Sequence, residues 1–274
     1  MRKIMKKVLL AVLIGAVLLV YAYPIAWMYL SSMRATADLI KRPLAFPETL
    51  GLENFVTAFQ MANLGHHFVV SVLLTTASVA IVMTFSILAA FSFSRLKYRG
   101  KTVLFSLFFL GLILPVHGFL VGLFIQFKTL HLLNTVWAFI LPVSGINLSL
   151  AIILIKTYMD GIPTSLEEVA YLDGARSYQV LWYVILPLSM PILATVITFT
   201  AISIWNEFLI PFVMIQSAKI RPLTTSLYVF STKYASKISL KLAALAMIAT
   251  PMFIMYIFFQ KQIQKGITAG ALKD

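Results

Sequence analysis

Few side chains in this sequence could carry chemistry, and most stand without the partners a reaction would need. Glu207, flanked by Trp205 and Asn206, is the only acidic residue inside a long apolar run. An ionised carboxylate in hydrocarbon costs roughly 2.5–3.5 kcal/mol even on lenient insertion scales, so it should face a charge, a polar cavity or water. Asn147 lies in another apolar run, where a lone Asn often only bridges helices. His66 and His67 are adjacent, a poor metal geometry with no carboxylate or further His nearby in sequence, so no metal is expected. Gly100, Lys101 and Thr102 supply the last letters of a phosphate-binding Walker motif, but Arg95 stands where its first glycine belongs. Ser94 and Lys97 have Ser-x-x-Lys spacing without the companion motifs of a serine acyl-transfer enzyme. There is no cysteine, hence no disulfide framework, thiol nucleophile or cysteine metal site. The chain is expected to catalyse nothing and to bind no cofactor.

The composition explains this poverty. Of 274 residues, 61% are apolar and 11% charged, with a mean hydropathy of +0.94. Soluble domains run at about 45–50% apolar and about 25% charged, so an ordinary globular enzyme and a disordered chain are both excluded. A net charge of +13 would suggest nucleic acid in a soluble protein. Here the charges cluster between apolar runs, where they orient loops against a bilayer instead.

A hydrocarbon core of about 30 Å needs about 20 apolar residues of helix. Six stretches qualify, at 8–30, 68–94, 102–127, 135–155, 191–215 and 242–259. The fold class expected is therefore an all-α polytopic membrane protein of six transmembrane helices, a single transmembrane domain over 1–274. The first run follows Arg2, Lys3, Lys6 and Lys7 but outlasts a signal core of about 7–15 residues, which makes it a retained span. With the N-terminus inside, inner segments hold 13 basic residues and outer ones 9. The cluster Arg95 to Lys101 favours the same orientation, with both termini cytoplasmic. Pro115, Pro142, Pro211 and Pro251 should kink their spans, and Gly118 with Gly122 would let another helix approach the third. In such a bundle Trp205, Asn206 and Glu207, and less strongly Asn147, call for a partner charge, a polar cavity or water. A structural hydrogen bond to another helix is the plainer alternative.

Residues 160–190 are different. They hold four of the nine acidic residues, Asp160, Glu167, Glu168 and Asp173. Pro163 ends one element, and Ser165 with Glu168 has the capping-box spacing that opens a helix. Leu166, Val169 and Ala170 should share its apolar face, and Gly174 is placed to end it. Ser177 can cap a second helix, with Leu181, Val184 and Ile185 at helical spacing until Pro187. A helix so short cannot bury its own apolar face, and a partner's groove is the usual answer.

The run EEVAYLDGARSYQVLWYVILPLSMP, with Glu168, Val169, Ala170, Asp173, Gly174, Ala175, Val184, Leu186 and Pro187, resembles the EAA loop of ATP-binding-cassette importer permeases. Val169 and Val184 replace the family's Ala and Ile. Further stretches, YPIAWMYLSSMR, ENFVTAF, LAAFSFSRLKYRGK, LLNTVWAFILP, WNEFLIP, RPLTTSL and QKQIQKGITAGALKD, are similar to the MalG-like carbohydrate-uptake permeases. His117 and His131 lie in stretches less typical of them.

The resemblance implies a coupling helix from about Ser165 to Ala175 that docks on an ATPase subunit, with coupling residues Glu168, Ala170, Asp173, Gly174 and Ala175. It implies a cytoplasmic tail, 260–274, whose Gln264, Gly266, Thr268 and Gly270 approach the ATPase interface, and it makes Trp205, Asn206 and Glu207, and less strongly Asn147, candidates for the translocation path, where an aromatic beside hydrogen-bonding groups suits a sugar. The implied partners are a second, different permease chain, two ATPase subunits that bind ATP and Mg, an extracytoplasmic solute-binding protein, a sugar and the lipid bilayer, with no nucleic acid. The rival class is a proton-coupled secondary transporter using Glu207. That class usually shows inverted repeats or several intramembrane ionisable groups, whereas this chain has one acid and no evident repeat.

Overall fold

Long apolar runs with no place for unpaired backbone groups must become helices, and the computed structural model is helical, with no strand among the described residues. It describes residues 2–47, 50–113, 115–228 and 237–271, apart from the side chains of 2–4, 116, 117 and 262–271. The helices are α1 (Arg2–Ser32), α2 (Thr36–Lys41), α3 (Glu53–Met61), α4 (Leu64–Arg95), α5 (Lys101–Ile113), α6 (Leu120–Thr129), α7 (Trp137–Asp160), α8 (Ser165–Leu172), α9 (Ser177–Leu188), α10 (Met190–Trp205), α11 (Leu209–Met214), α12 (Leu223–Ser226) and α13 (Ile238–Ala271).

Four helices contain segments long and apolar enough to cross a membrane: Met5–Ser32, Leu64–Arg95, Trp137–Asp160 and Ile238–Lys261. The pair α9 and α10 also passes as one bent unit, with 79° between its parts. Two expected spans depart from simple helices. The third is broken between α5 and α6, where Pro115 interrupts the ladder and a 3-10 turn, Val116–Phe119, follows. The fifth stops at Trp205, and the chain resumes helix only at Leu209. Pro142 and Pro251, by contrast, lie within helices that continue through them.

The chain packs as two compact units. The first is Met1–His66 with Ser226–Met252. It closes on itself through Tyr29, whose hydroxyl shares a hydrogen bond with Thr250 Oγ1 at 2.8 Å. The buried Arg34 guanidinium donates to Asp38 Oδ2 (2.8 Å) and to the carbonyls of Ala45 (2.8 Å) and Arg42 (2.7 Å). Asn54 Nδ2 donates to the carbonyls of Ser32 and Arg34, at 2.8 and 2.9 Å. Val8, Leu9, Leu19 and Val20 of α1 are exposed. An apolar surface of that length is stable only against lipid or another chain.

The second unit is His67–Thr225 with Phe253–Asp274. One buried cluster joins Val82, Phe91, Ile155, Met159, Val180 and Ile185, and so packs α4, α7 and α9 together. Another joins Leu74, Phe139, Val143, Ile204 and Met214. α5 approaches α7 closely enough that a β carbon at Gly111 would lie 2.6 Å from Ser149 Oγ.

Candidate functional site

Arg95 closes α4, and its side chain is 9% exposed. Its Nε forms an ion pair with Glu167 Oε1 on α8, where the carboxylate is 6% exposed. Arg95 Nη2 donates to the Ile162 carbonyl at 2.8 Å, and Nη1 to Ser94 Oγ at 3.1 Å. Ser94 in turn donates to Asp160 Oδ1 at 2.7 Å, and Lys156 Nζ reaches Asp160 Oδ2 at 2.7 Å while lying 4.8 Å from the Phe105 ring centre. One polar network thus links the neighbouring ends of α4, α5, α7 and α8.

α8 begins differently from its expected capping box. The helix starts at Ser165, with Thr164 and not Ser165 at the cap position, and no side chain caps the start. Its end is as the glycine implies: Gly174 adopts φ +83°, a conformation that costs a residue with a β carbon about 1–2 kcal/mol. The Gly174 amide donates to the Tyr171 carbonyl and the Ala175 amide to the Ala170 carbonyl, both at 3.0 Å, the paired bonds of a Schellman ending.

The expected apolar face divides. Ala170 and Ala175 pack against the core cluster of α4, α7 and α9, while Leu166, Val169 and Leu172 point away from it, the last 87% exposed. A residue advance turns a helix by about 100°, so Ala170 and its neighbour Val169 face apart. Glu167, three residues before Ala170, shares the packed side; Glu168 is exposed. Spacing alone drew attention to Glu168 and missed Glu167, although the i, i+3 relation to Ala170 was the signal that could have found it.

After α8, α9 starts at Ser177 with Arg176 as its cap residue, and Gln179 Oε1 accepts from the Arg176 amide at 2.8 Å. Ser177 was the expected cap. A π-helical turn, Leu181–Ile185, precedes Pro187, and the Leu186 amide donates five residues back to Leu181. The chain then turns through 79° into α10.

The residues singled out in the apolar runs separate. Trp205 is buried, edge-on to Phe68 at 5.7 Å between ring centres. Asn206 is exposed and donates to the Ile202 carbonyl at 3.0 Å. Glu207 lies in the break between α10 and α11, where its Oε1 accepts the Ile210 amide at 3.0 Å and its carbonyl accepts from Thr224 Oγ1 at 3.0 Å. Asn147 lines an open cavity of about 160 Å³ with Leu150, Phe199, Thr200 and Ser203. Its Nδ2 donates to the Val143 carbonyl at 2.8 Å.

His67 is buried and donates from Nδ1 to the Arg221 carbonyl at 2.8 Å; His66 and His131 are exposed, and the His117 side chain lies outside the described residues. Among the described residues no group of His, Asp or Glu could hold a metal ion. Gln264, Gly266, Thr268 and Gly270 fall on the backbone of α13, their side chains outside the described set.

The model of the family described as "Binding-protein-dependent transport system inner membrane component" matches residues 82–269. The chain belongs to that family. It is 34% identical to the "Probable ABC transporter permease protein YurM" of Bacillus subtilis, over 93% of this chain and 85% of that one. It is 29% identical, over the whole of both chains, to the "Probable starch degradation products transport system permease protein AmyC" of Thermoanaerobacterium thermosulfurigenes. Its fold matches a chain in the crystal structure of a bacterial ABC transporter involved in the import of the acidic polysaccharide alginate. That match has a TM-score of 0.80 at 24% identity and covers 94% of this chain and 96% of that one. As a family member it is a transport permease, with helices suited to an inner membrane.

Proposed function

We propose that this chain is one transmembrane permease subunit of an ATP-driven, binding-protein-dependent sugar importer. The observation that carries the reading is α8, a helix of eight residues whose Leu166, Val169 and Leu172 have no cover, held at the end of α4 beside the cluster Arg95, Lys97, Arg99 and Lys101. A partner's groove is the fitting cover for such a face. The basic cluster favours the cytoplasmic side for this end, where an ATPase would meet it. The carbohydrate class is supported by relatives whose names refer to starch degradation products and to arabinooligosaccharides.

In this reading α5 with α6 forms the third span and α10 with α11 the fifth, which makes six, with both termini in the cytoplasm of a bacterium or archaeon. A second permease supplies the other half of the path, two ATPases carry ATP and Mg, and a solute-binding protein delivers the sugar from outside. The loop 160–190 is the coupling segment. Its Glu168 meets the ATPase, while Ala170, Asp173, Gly174 and Ala175 shape and seat the helix. Gln264, Gly266, Thr268 and Gly270 approach the ATPase interface. Closure of the ATPases on ATP displaces α8 and turns the cavity from inward-facing to outward-facing. Asn147, with Thr200 and Ser203 beside it, offers hydroxyl-matching groups to the path, and Trp205, Asn206 and Glu207 build the break that ends the fifth span.

The test is to solubilise the tagged chain from its native membrane in mild detergent and identify what co-purifies by mass spectrometry. The reading expects an ATPase, a second permease and a solute-binding protein. Recovery of this chain alone, stable and monodisperse, would overturn it.

A further inference from the structure

We propose that the buried Arg95–Glu167 pair is the joint that fixes α8 in register on the end of α4, so that a displacement of α8 carries α4 with it. The inference rests on the permease reading above and gives the two adjacent glutamates different work: Glu168 faces outward to a partner, and Glu167 is a positioning residue.

Four observations converge on this role. First, both charged groups are largely withdrawn from water, at 9% and 6% exposure. Separating them would leave a lone charge buried on each side, which opposes any loosening of the contact. Second, α8 has little else to hold it. Its inward face offers Ala170, with Ala175 just beyond, while its larger apolar residues point away. Third, the Arg95 guanidinium spans both the helix and its approach, pairing with Glu167 and donating to the Ile162 carbonyl. Its planar fork directs Nη donors to the Ile162 carbonyl and Ser94 Oγ, which fixes the guanidinium that the Glu167 carboxylate meets by charge, whereas apolar contact is non-directional. Fourth, Arg95 is itself held through Ser94, Asp160 and Lys156, so the joint is anchored on α7 as well as α4.

A buried ion pair is weak evidence for stability, because well-packed apolar residues of similar volume often serve as well. That equivalence makes the positional role separable from a structural one. The chain has no cysteine, so Tyr171→Cys, on the half-exposed flank of α8 between its packed side and its Leu166, Val169 and Leu172 face, gives a unique site for a nitroxide label. The label would be read by electron paramagnetic resonance in Glu167→Gln and in the double variant Arg95→Met with Glu167→Leu.

The expected result is a slow label in the parent chain and a mobile one in Glu167→Gln. In the double variant the thermal midpoint should return to that of the parent, while the label stays mobile and sugar taken up per ATP hydrolysed falls several-fold. A double variant with a slow label, or with unchanged uptake per ATP, would make the pair merely structural and overturn the proposal. Should the parent chain assemble with no ATPase, the transport reading fails, and label mobility in the isolated permease still decides whether the joint exists.

Discussion

Asn134 reaches Gln216 across 82 residues of sequence: its Oδ1 accepts the Gln216 amide at 2.6 Å and the Ser217 amide at 3.1 Å. The Asn134 amide returns a bond to the Met214 carbonyl at 3.1 Å, so one residue stitches the start of α7 to the end of α11. Asn134 does this at φ +59°, a conformation asparagine tolerates better than most residues. Asn134→Ala should lower stability by about 1–2 kcal/mol, and Asn134→Gly by less, because glycine relieves the backbone while losing the side-chain bonds. Thermal midpoints in detergent check the order; equal midpoints for parent and Asn134→Ala would refute it.

The contact between Gly111 and Ser149 sets the spacing of α5 and α7. Gly111→Val overfills it and should cost about 1–3 kcal/mol. Ser149→Gly in the same chain should restore part of that loss, as a double-mutant cycle on thermal unfolding would report.

Asp38 titrates low because hydrogen bonds from Arg42 and then Arg34 favour its charged form. A depressed carboxylate stabilises the fold above its unfolded pKa, and that contribution is lost as pH falls through the folded value. Wild type should therefore lose more thermal stability than Asp38→Asn when detergent solutions are taken below about pH 4. Parallel acid limbs for the two would show that the Arg34 knot does not depend on this charge.

Two substitutions probe the coupling proposal at α8. Glu168→Lys reverses an exposed charge, and Gly174→Val puts a β-branched residue at φ +83°. Each should abolish sugar-dependent ATPase activity in the assembled transporter while leaving the permease inserted. Full stimulation in both variants, measured in reconstituted membranes, would remove α8 from the coupling path.

The long helices α1, α4, α7 and α13 were legible from apolar run length, because a bilayer demands about 20 such residues and little else in a sequence does. The breaks were less visible. Pro115 marked a kink, but Leu and Phe on both sides keep hydropathy high through the interruption between α5 and α6. Around Asn206 to Phe208 the fifth run also stays apolar enough to hide a break, which Glu207 closes through its bonds to the Ile210 amide and Thr224. The glycine that ends α8 was readable because a left-handed residue has few substitutes. The partner of Arg95 was not, since two adjacent glutamates look alike until the packed side of the helix is known.

The Arg95–Glu167 pair also bears on how this sequence can change over generations. Losing either residue alone strands the other charge away from water, a step costing several kcal/mol. Drift at one position is thus closed unless the second follows, and replacement by two neutral, well-packed side chains is the open route. Two positions far apart in the gene are thereby inherited as a unit, and lineages that abandon one of these charges should have abandoned both.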